Sequence, residues 1–501
     1  MEEIIIGKHT LESLTTGMYS DPFVIYREYI QNAADSLDEA VSAKIITDSE
    51  KQIIVEISRL DKIITIEDNG TGVLSSEVVQ TLVSIGNSKK INQQSRGFRG
   101  IGRLSGLSYC TKISFETTAV GDSKATTIVF DARKMSDILS ADNSSEMTAM
   151  DVLNSVYQVK TKDIGVSRHY FKVIMEGVDT TTDLLDMNAV KQYISQTAPV
   201  PYAPDFYWGR EIMCRLKQNG YCVPQYNIIL RKDGQEFPIY KPYKDDFFID
   251  KKASVPDKIH NITIIQVRSG KDKILAIGWL AQTDFKGSIY DKNVKGIRMR
   301  KGNILVGDHQ TLNAVFKDSR FNGWSIGEVF AISPKLIPNA RRDDFEKNDD
   351  YYIFFEALEG IADTITKKIR SVSIQRNVAL SRAIDKSDTI KNEAQEAMIS
   401  GLTRKQKRSL QGKLTNAKAA VRDTQPHTAE EQYHREIAFD ELDMLIGQVK
   451  GITSFKAINA LNGVTNTEKK ILERVFNAIV ATADDHADNM IEAIVNEFSQ
   501  K

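Results

Sequence analysis

Three clusters of polar residues in the first part of the chain have types and spacings that could do chemistry. Glu28, Asn32 and Asp35 stand at i, i+4 and i+7, which on a helix places them on one face. A carboxylate, an amide and a second carboxylate in one row could hold a metal ion and a water. The same row would equally serve as the solvated stripe of an amphipathic helix. Asp68-Asn69-Gly70-Thr71-Gly72 ends an alternating segment. An aspartate at the end of a buried strand can accept a hydrogen bond from an exocyclic amine, and the glycines let a flat ring approach the backbone. Asn-Gly is also a common hairpin turn. Further on, Gly97, Gly100 and Gly102 alternate with Arg96, Arg99 and Arg103 ahead of a helix start. Backbone N–H groups and positive charge of this kind suit a phosphate chain, though a surface loop has the same composition. The spacing is neither the G-x-G-x-x-G of a dinucleotide site nor a P-loop.

The elements that must carry these groups are legible from periodicity. An apolar repeat predicts a helix over 23–41, entered through Ser20-Asp21-Pro22. Short helices are expected over 11–17 and 76–85, and strands at 4–6, 53–57, 63–67, 112–117, 126–131 and 170–176. Residues 1–182 thus form an α+β helix-and-sheet sandwich. A helix and linker over 183–225, with Pro199, Pro201 and Pro204, leads to a second β-rich domain over 226–350. Its strands are expected at 226–231, 261–267, 274–280, 296–300 and 304–306. Residues 351–501 read as all helical, broken at Gln425-Pro426. Thr465-Asn466-Thr467-Glu468 has capping-box form and opens a last helix expected to run to Phe498. There Leu472, Val475 and Ile479 follow a coiled-coil-like spacing, which suits a dimer contact or a core stripe within one chain.

Composition narrows the class. The 501 residues suggest about three domains. A hydrophobic share of 41% and a charged share of 27% are those of a soluble globular protein. A formal charge of −1 gives no global attraction to nucleic acid or anionic lipid. One local run does stand out: Arg404, Lys405, Lys407, Arg408, Lys413, Lys418 and Arg422 have no acid between them. Such a run could meet an acidic partner or nucleic acid, or simply be a solvated face. Cys110, Cys214 and Cys222 show neither zinc nor disulfide spacing. The start lacks a signal-peptide pattern and no window approaches 18 consecutive apolar residues, so a cytoplasmic protein with no membrane contact is expected.

Taken together and in order, the helical Glu-Asn-Asp row, the strand ending in Asp-x-Gly-x-Gly and the glycine-rich loop resemble the GHKL superfamily of ATPases, named for gyrase, the heat-shock-ninety chaperones, histidine kinases and MutL. The helix is most similar to that of the heat-shock-ninety chaperones, whereas Gly97-Phe98-Arg99-Gly100 after Asn87-Ser88-Lys89 looks more like the MutL lid. The resemblance implies a Bergerat-type ATP-binding sandwich, with ATP and Mg2+ as ligands. Glu28 would be the general base that orients the attacking water, and Asn32 the magnesium ligand. Asp68 would read adenine, with Gly70 and Gly72 beside the base and Asp35 supporting the pocket. Lys89 and the lid residues Gly97, Phe98, Arg99, Gly100, Ile101 and Gly102 would cover the phosphates. The family places a Gly-Thr pair before its last pocket strand. Here Gly165-Val166-Ser167-Arg168-His169-Tyr170 has no threonine, so Ser167 or His169 would have to substitute.

Residues 296–308 and 336–345 resemble the heat-shock-ninety middle domain, and there Arg342 takes the place of the arginine that reaches the terminal phosphate when domains close. The likeness ends near residue 350, and the helical remainder lacks the acidic tail of cytosolic eukaryotic members. It implies an ATP-hydrolysing dimeric clamp with a chaperone or protein-remodelling role. The alternatives are an ATP-gated DNA clamp like MutL or MORC, in repair, silencing or anti-phage defence, and a nucleotide-dependent scaffold with negligible hydrolysis.

Overall fold

Side chains of period two build the first sheet. In β1 (Gln52–Ser58), Ile53, Val55 and Ile57 are buried while their neighbours are not. In β2 (Ile63–Asp68) the inward positions are Ile64, Ile66 and, at the end, Asp68. The alternation that buries isoleucines thus also carries one carboxylate to the core face. The computed structural model describes residues 6–15, 21–84, 102–141, 147–249, 256–270, 273–400, 404–424, 426, 429–451, 463–483 and 486–499. The expected strand over 4–6 lies mostly outside them.

Strands β3 (Lys112–Thr118), β4 (Lys124–Asp131), β5 (Tyr157–Asp163), β6 (Tyr170–Glu176), β7 (Asn227–Lys232) and β8 (Gln235–Pro238) complete an eight-stranded sheet of order β5-β4-β3-β6-β2-β1-β7-β8. Helices α1 (His9–Thr15), α2 (Val24–Ser42), α3 (Val78–Val83), α4 (Ala132–Ser140), α5 (Ala149–Val156), α6 (Met187–Thr197) and α7 (Tyr207–Gln218) accompany it. Helix α2 is wrapped by the core on most of its circumference, through Tyr26, Ile30, Ala33, Ala34 and Leu37. Glu28, Gln31 and Asp35 are buried with them. This excludes the solvated-stripe reading of the polar row.

The expectation that the stretch from 226 opens the second sheet is corrected. Strand β7 pairs parallel with β1, Gln52 opposite Asn227, and β8 pairs with β7. A parallel neighbour requires a long crossover. The chain reaches it through α6 and α7, the latter not foreseen as a helix.

A small ribbon, β9 (Asp246–Phe247) with β10 (Asp257–Lys258), precedes a five-stranded sheet of β11 (Asn261–Ser269), β12 (Lys273–Gln282), β13 (Gly296–Lys301), β14 (Ile304–Val306) and β15 (Ile326–Ala331), in the order β11-β12-β15-β13-β14. Ile212 and Leu216 of α7 pack on one face against Ile262, Ile277 and Trp279. Phe354, Leu358 and Ala362 of α8 (Asp349–Ser400) cover the other, against Val267, Leu275 and Met299. With both faces covered, β15 is buried along its whole length.

That burial includes Glu328, in the middle of β15, at no exposure. Its Oε1 accepts from Lys241 Nζ at 2.9 Å and from Arg300 Nε. Its Oε2 accepts from Lys241 Nζ at 2.8 Å, Tyr202 Oη at 2.6 Å and Trp279 Nε1 at 3.2 Å. A lysine and an arginine thus share one carboxylate away from water. Burial, reinforced by the charge of Arg300 and opposed by Glu328, pulls the Lys241 ammonium down to about 7. The other ionisable groups around the cluster, Tyr202, Tyr243 and Arg298, lie in the same interior. Between about pH 7 and the ordinary lysine value of about 10.4, the unfolded chain binds a proton that the folded chain does not. Stability therefore rises with pH through that window and levels off below it. Wild type is expected to gain on the order of 2 kcal/mol relative to Lys241→Met between pH 7 and about pH 9, measured as unfolding free energies at both pH values. A pH-independent difference would refute the shift.

The chain divides into two compact units, Met1–Thr366 and Lys367–Lys501, with α8 running through the boundary. In the second, Leu410, Leu414 and Val421 of α9 (Arg404–Asp423) pack with Ala438, Leu442, Leu445 and Val449 of α10 (Ala429–Gly451). The predicted capping box is present at Thr465 and Glu468, but the helix it opens does not reach Phe498. It ends as α11 (Asn466–Thr482), and α12 (Ala487–Ser499) folds back so that Leu472 and Phe476 can bury against Ile491. Val475 is left exposed, so the buried stripe is not the expected one. Among the described side chains of the basic run, most are engaged within the unit. Lys413 pairs with Glu393 at 2.5 Å, Lys418 with Asp443 and Arg422 with Asp423, and Lys407 donates to the Lys450 carbonyl. Among the described residues no helix is long and apolar enough to cross a membrane.

Candidate active site

The loop after β2 is pinned along its length. Asp68 Oδ1 accepts the Gly70 N–H at 2.9 Å, closing a turn whose carboxylate stays buried. Ser36 Oγ, one turn beyond Asn32 on α2, accepts the Thr71 N–H at 3.1 Å. The Gly70 carbonyl is 2.8 Å from His169 Nδ1. Because a carbonyl only accepts, that nitrogen carries the proton. Thr117 Oγ1, from β3, accepts the Val73 N–H at 3.0 Å and donates to the Tyr170 carbonyl at 2.9 Å. Gly72 has φ +63°, and a methyl there would come within 1.8 Å of the Thr118 carbonyl oxygen, so only glycine fits. Beside it, the buried Thr118 hydroxyl has no hydrogen-bond partner among the described residues.

Glu28 forms the second half of the site. Arg27 Nη2 and Arg342 Nε each lie 3.4 Å from its Oε1. All three side chains are about nine-tenths buried, with exposures of 12%, 11% and 9% for Arg27, Arg342 and Glu28. Arg27 also donates to the Arg341 carbonyl at 3.2 Å, tying α2 to the loop that carries Arg342. That loop is strained: Arg342 has φ +59°, a conformation that costs a non-glycine residue about 1–3 kcal/mol. It is held by the Arg342 N–H on the Asn339 carbonyl at 3.1 Å and the Gly307 N–H on the Arg342 carbonyl at 2.8 Å. The other oxygen, Oε2, faces Gly102, where a Cβ would approach to 2.3 Å. Gly102 therefore lies directly against the carboxylate.

The structure thus brings Glu28, Arg342 and Gly102 together, and Asp68, Gly70 and Gly72 onto one pinned turn beside α2. Asn32 is half-buried and Asp35 buried on that helix. Lys89, Gly97, Phe98, Arg99, Gly100 and Ile101 lie outside the described residues. Of the two residues set against the missing threonine, Ser167 is exposed and His169 meets the turn. Arg103, read as a source of positive charge, instead spends its guanidinium on the carbonyls of Thr81 and Ser84. Arg27, Ser36 and Thr117 were not foreseen; a serine one helical turn beyond Asn32 was the only sequence signal among them.

Residues 19–165 match the family described as histidine kinase-, DNA gyrase B-, and HSP90-like ATPase. These residues are a GHKL-type ATPase domain. Among curated relatives, the chaperone protein HtpG of Polaromonas naphthalenivorans is 31% identical over 129 residues, 22% of this chain and 20% of that protein. HtpG of Rickettsia prowazekii is 28% identical over 162 residues, 28% of this chain and 25% of its own length. HtpG of Enterobacter sp. strain 638 is 26% identical over 164 residues, covering 28% and 26%. The chain spans between a fifth and about a quarter of the length of these relatives.

The residues of the GHKL domain fit ATP with magnesium. A buried carboxylate acceptor beside an unpartnered hydroxyl suits a flat base bearing an exocyclic amine. The amide oxygen of Asn32 would be a hard, single protein ligand of the kind Mg2+ takes when phosphates and waters fill its remaining positions.

Proposed function

We propose that this chain binds ATP with magnesium and hydrolyses it, using the cycle to remodel polypeptides as a dimeric clamp. The observation that carries the reading is the 3.4 Å approach of Arg342, from the loop beyond the second sheet, to the buried Glu28 of the GHKL domain. In this mechanism Asp68 accepts the adenine amine, and the turn fixed by Ser36, His169 and Thr117 keeps that acceptor in place. Asp35 supports the pocket wall. Lys89 and the stretch from Gly97 through Phe98, Arg99, Gly100 and Ile101 to Gly102 would cover the phosphates. Magnesium, bound through Asn32, would offset phosphate charge.

Glu28 Oε2 then orients a water and takes its proton as the water oxygen bonds to the terminal phosphorus. The bond from that phosphorus to the bridging oxygen breaks, giving ADP and inorganic phosphate. Arg342 stabilises the charge that develops on the transferring group. Since its loop belongs to the second-sheet region, hydrolysis depends on how that region meets the GHKL domain.

Asp68→Asn tests base recognition. The amide keeps one oxygen for the Gly70 N–H and turns its NH2 donor towards the amine, leaving a charge-assisted hydrogen bond unmade. It is expected to weaken ATP binding by about 10- to 100-fold, the equivalent of about 1.5–3 kcal/mol, measured by calorimetry. Unchanged affinity would remove Asp68 from the site.

Pairing of two chains draws support from Ile471, Val475, Met490 and Phe498, which stay exposed on the α11–α12 hairpin around a small core. The DNA-clamp alternative, with its roles in repair, silencing or phage defence, draws on the MutL-like lid motif and on the basic run, and the ion pairs of Lys413, Lys418 and Arg422 weaken the second of these. Salt-sensitive DNA binding that tightens with a non-hydrolysable ATP analogue would restore it.

A further inference from the structure

The arginine that reaches Glu28 is held at one end of a short hairpin, and the buried charge cluster sits at the other. In the β13–β14 hairpin, Arg300 pairs with Leu305 and Met299 with Val306. The next residue, Gly307, donates its N–H to the Arg342 carbonyl at 2.8 Å. Arg300 is bound not only to Glu328 but to the Asn303 carbonyl through Nη1 at 3.0 Å and the Gln196 carbonyl at the end of α6 through Nη2 at 2.9 Å. Asn303, at the hairpin turn, donates to the Pro224 carbonyl at 2.7 Å. Lys241 follows β8 of the first sheet, and its own N–H bonds the Pro201 carbonyl at 2.8 Å. Glu328 therefore receives one donor from the segment following the first sheet and another from the hairpin that steadies Arg342.

A buried carboxylate shared by a lysine and an arginine is a poor way to gain stability, because desolvation offsets most of the attraction. It is a good way to fix one geometry, since Glu328 offers acceptors in set directions and both donors must meet them. An apolar contact at the same junction would tolerate sliding. From Glu328 to Glu28, each step is a side-chain bond, a register pair, a backbone hydrogen bond or the continuous chain from Leu305 to Gly307.

We propose that Lys241 is a positioning residue for Arg342: with Glu328 and Arg300 it locks the β13–β14 hairpin to the first sheet so that the Arg342 loop stays on Glu28. The proposal rests on the ATPase reading given above.

Steady-state turnover and calorimetric ATP affinity of the full chain test it, using Lys241→Met, Arg342→Ala and the double variant. A second route to the same joint is Asn303→Gly, which keeps the left-handed turn (φ +65° at Asn303) but removes the Pro224 anchor. Lys241→Met is expected to lower kcat at least tenfold with the ATP Kd within about twofold, and Asn303→Gly to do so more mildly. The double variant should be no slower than Arg342→Ala alone, because both changes remove the same contribution. Unchanged kcat in Lys241→Met and Asn303→Gly would overturn the proposal. So would multiplicative losses in the double variant, or equal loss of ATP binding in both single joint variants, which would indicate a general folding role. A wild type that binds ATP but shows no turnover would instead overturn the ATPase reading.

Discussion

Glu28→Ala is expected to lower ATP turnover by about 10²- to 10⁴-fold, the usual contribution of a positioned general base. ATP binding should survive, because base recognition is assigned to the Asp68 turn, held by Ser36, Thr117 and His169 rather than by Glu28. The alanine variant also leaves the Arg27 and Arg342 guanidinium groups without their shared carboxylate, and an uncompensated buried charge is costly. Glu28→Gln is the cleaner partner experiment. It retains an oxygen for the two arginines but no group that can take a proton from water. Both variants should therefore fall together in turnover, while the alanine form, which loses the acceptor oxygen as well as the charge, loses more thermal stability than the glutamine form. If Glu28→Gln hydrolyses ATP as wild type does, Glu28 is not the base.

Arg342→Ala should cost about 10²- to 10³-fold in kcat, the loss typical of removing one donor that stabilises developing charge, with a smaller change in ATP affinity. Its site is costly to maintain: a left-handed backbone, two backbone hydrogen bonds and a nearly buried guanidinium. Strain of this kind persists where the surroundings over-determine a conformation. Arg342→Lys keeps the charge but not the planar fork, so it should recover only part of the rate. Measuring kcat and ATP Kd separately checks the argument. A variant that loses binding and keeps kcat would make Arg342 a ground-state ligand instead.

Local pattern and long-range placement differed in how much the sequence disclosed. The polar row on α2, the alternation ending in Asp68 and the capping box at Thr465 depend on neighbours a few residues apart, and the structure contains each. Strand β7 belongs to the first sheet and not, as its local pattern suggests, to the second, because its parallel pairing with β1 depends on residues far away in the chain and is reached through α7. Strand β15 was missed because Gly327 and Glu328 interrupt its apolar run. Glu328 can occupy a central strand only because Lys241 and Arg300 arrive from elsewhere. Arg27 illustrates the same limit: nothing in its neighbourhood announces that it will bond a carbonyl beside Arg342. The roles of Glu28, Asn32 and Asp68 came from a resemblance of motif order, whereas His169 stands out over Ser167 only through its bond to Gly70.

Release of inorganic phosphate from ATP and magnesium, followed for the purified full chain beside Glu28→Gln at saturating nucleotide, tests the central claim most directly. Steady turnover by the wild type and its near-complete loss in Glu28→Gln, with ATP still bound, is the predicted result. Nucleotide bound by both proteins and hydrolysed by neither would contradict it and leave a nucleotide-dependent scaffold in place of an enzyme.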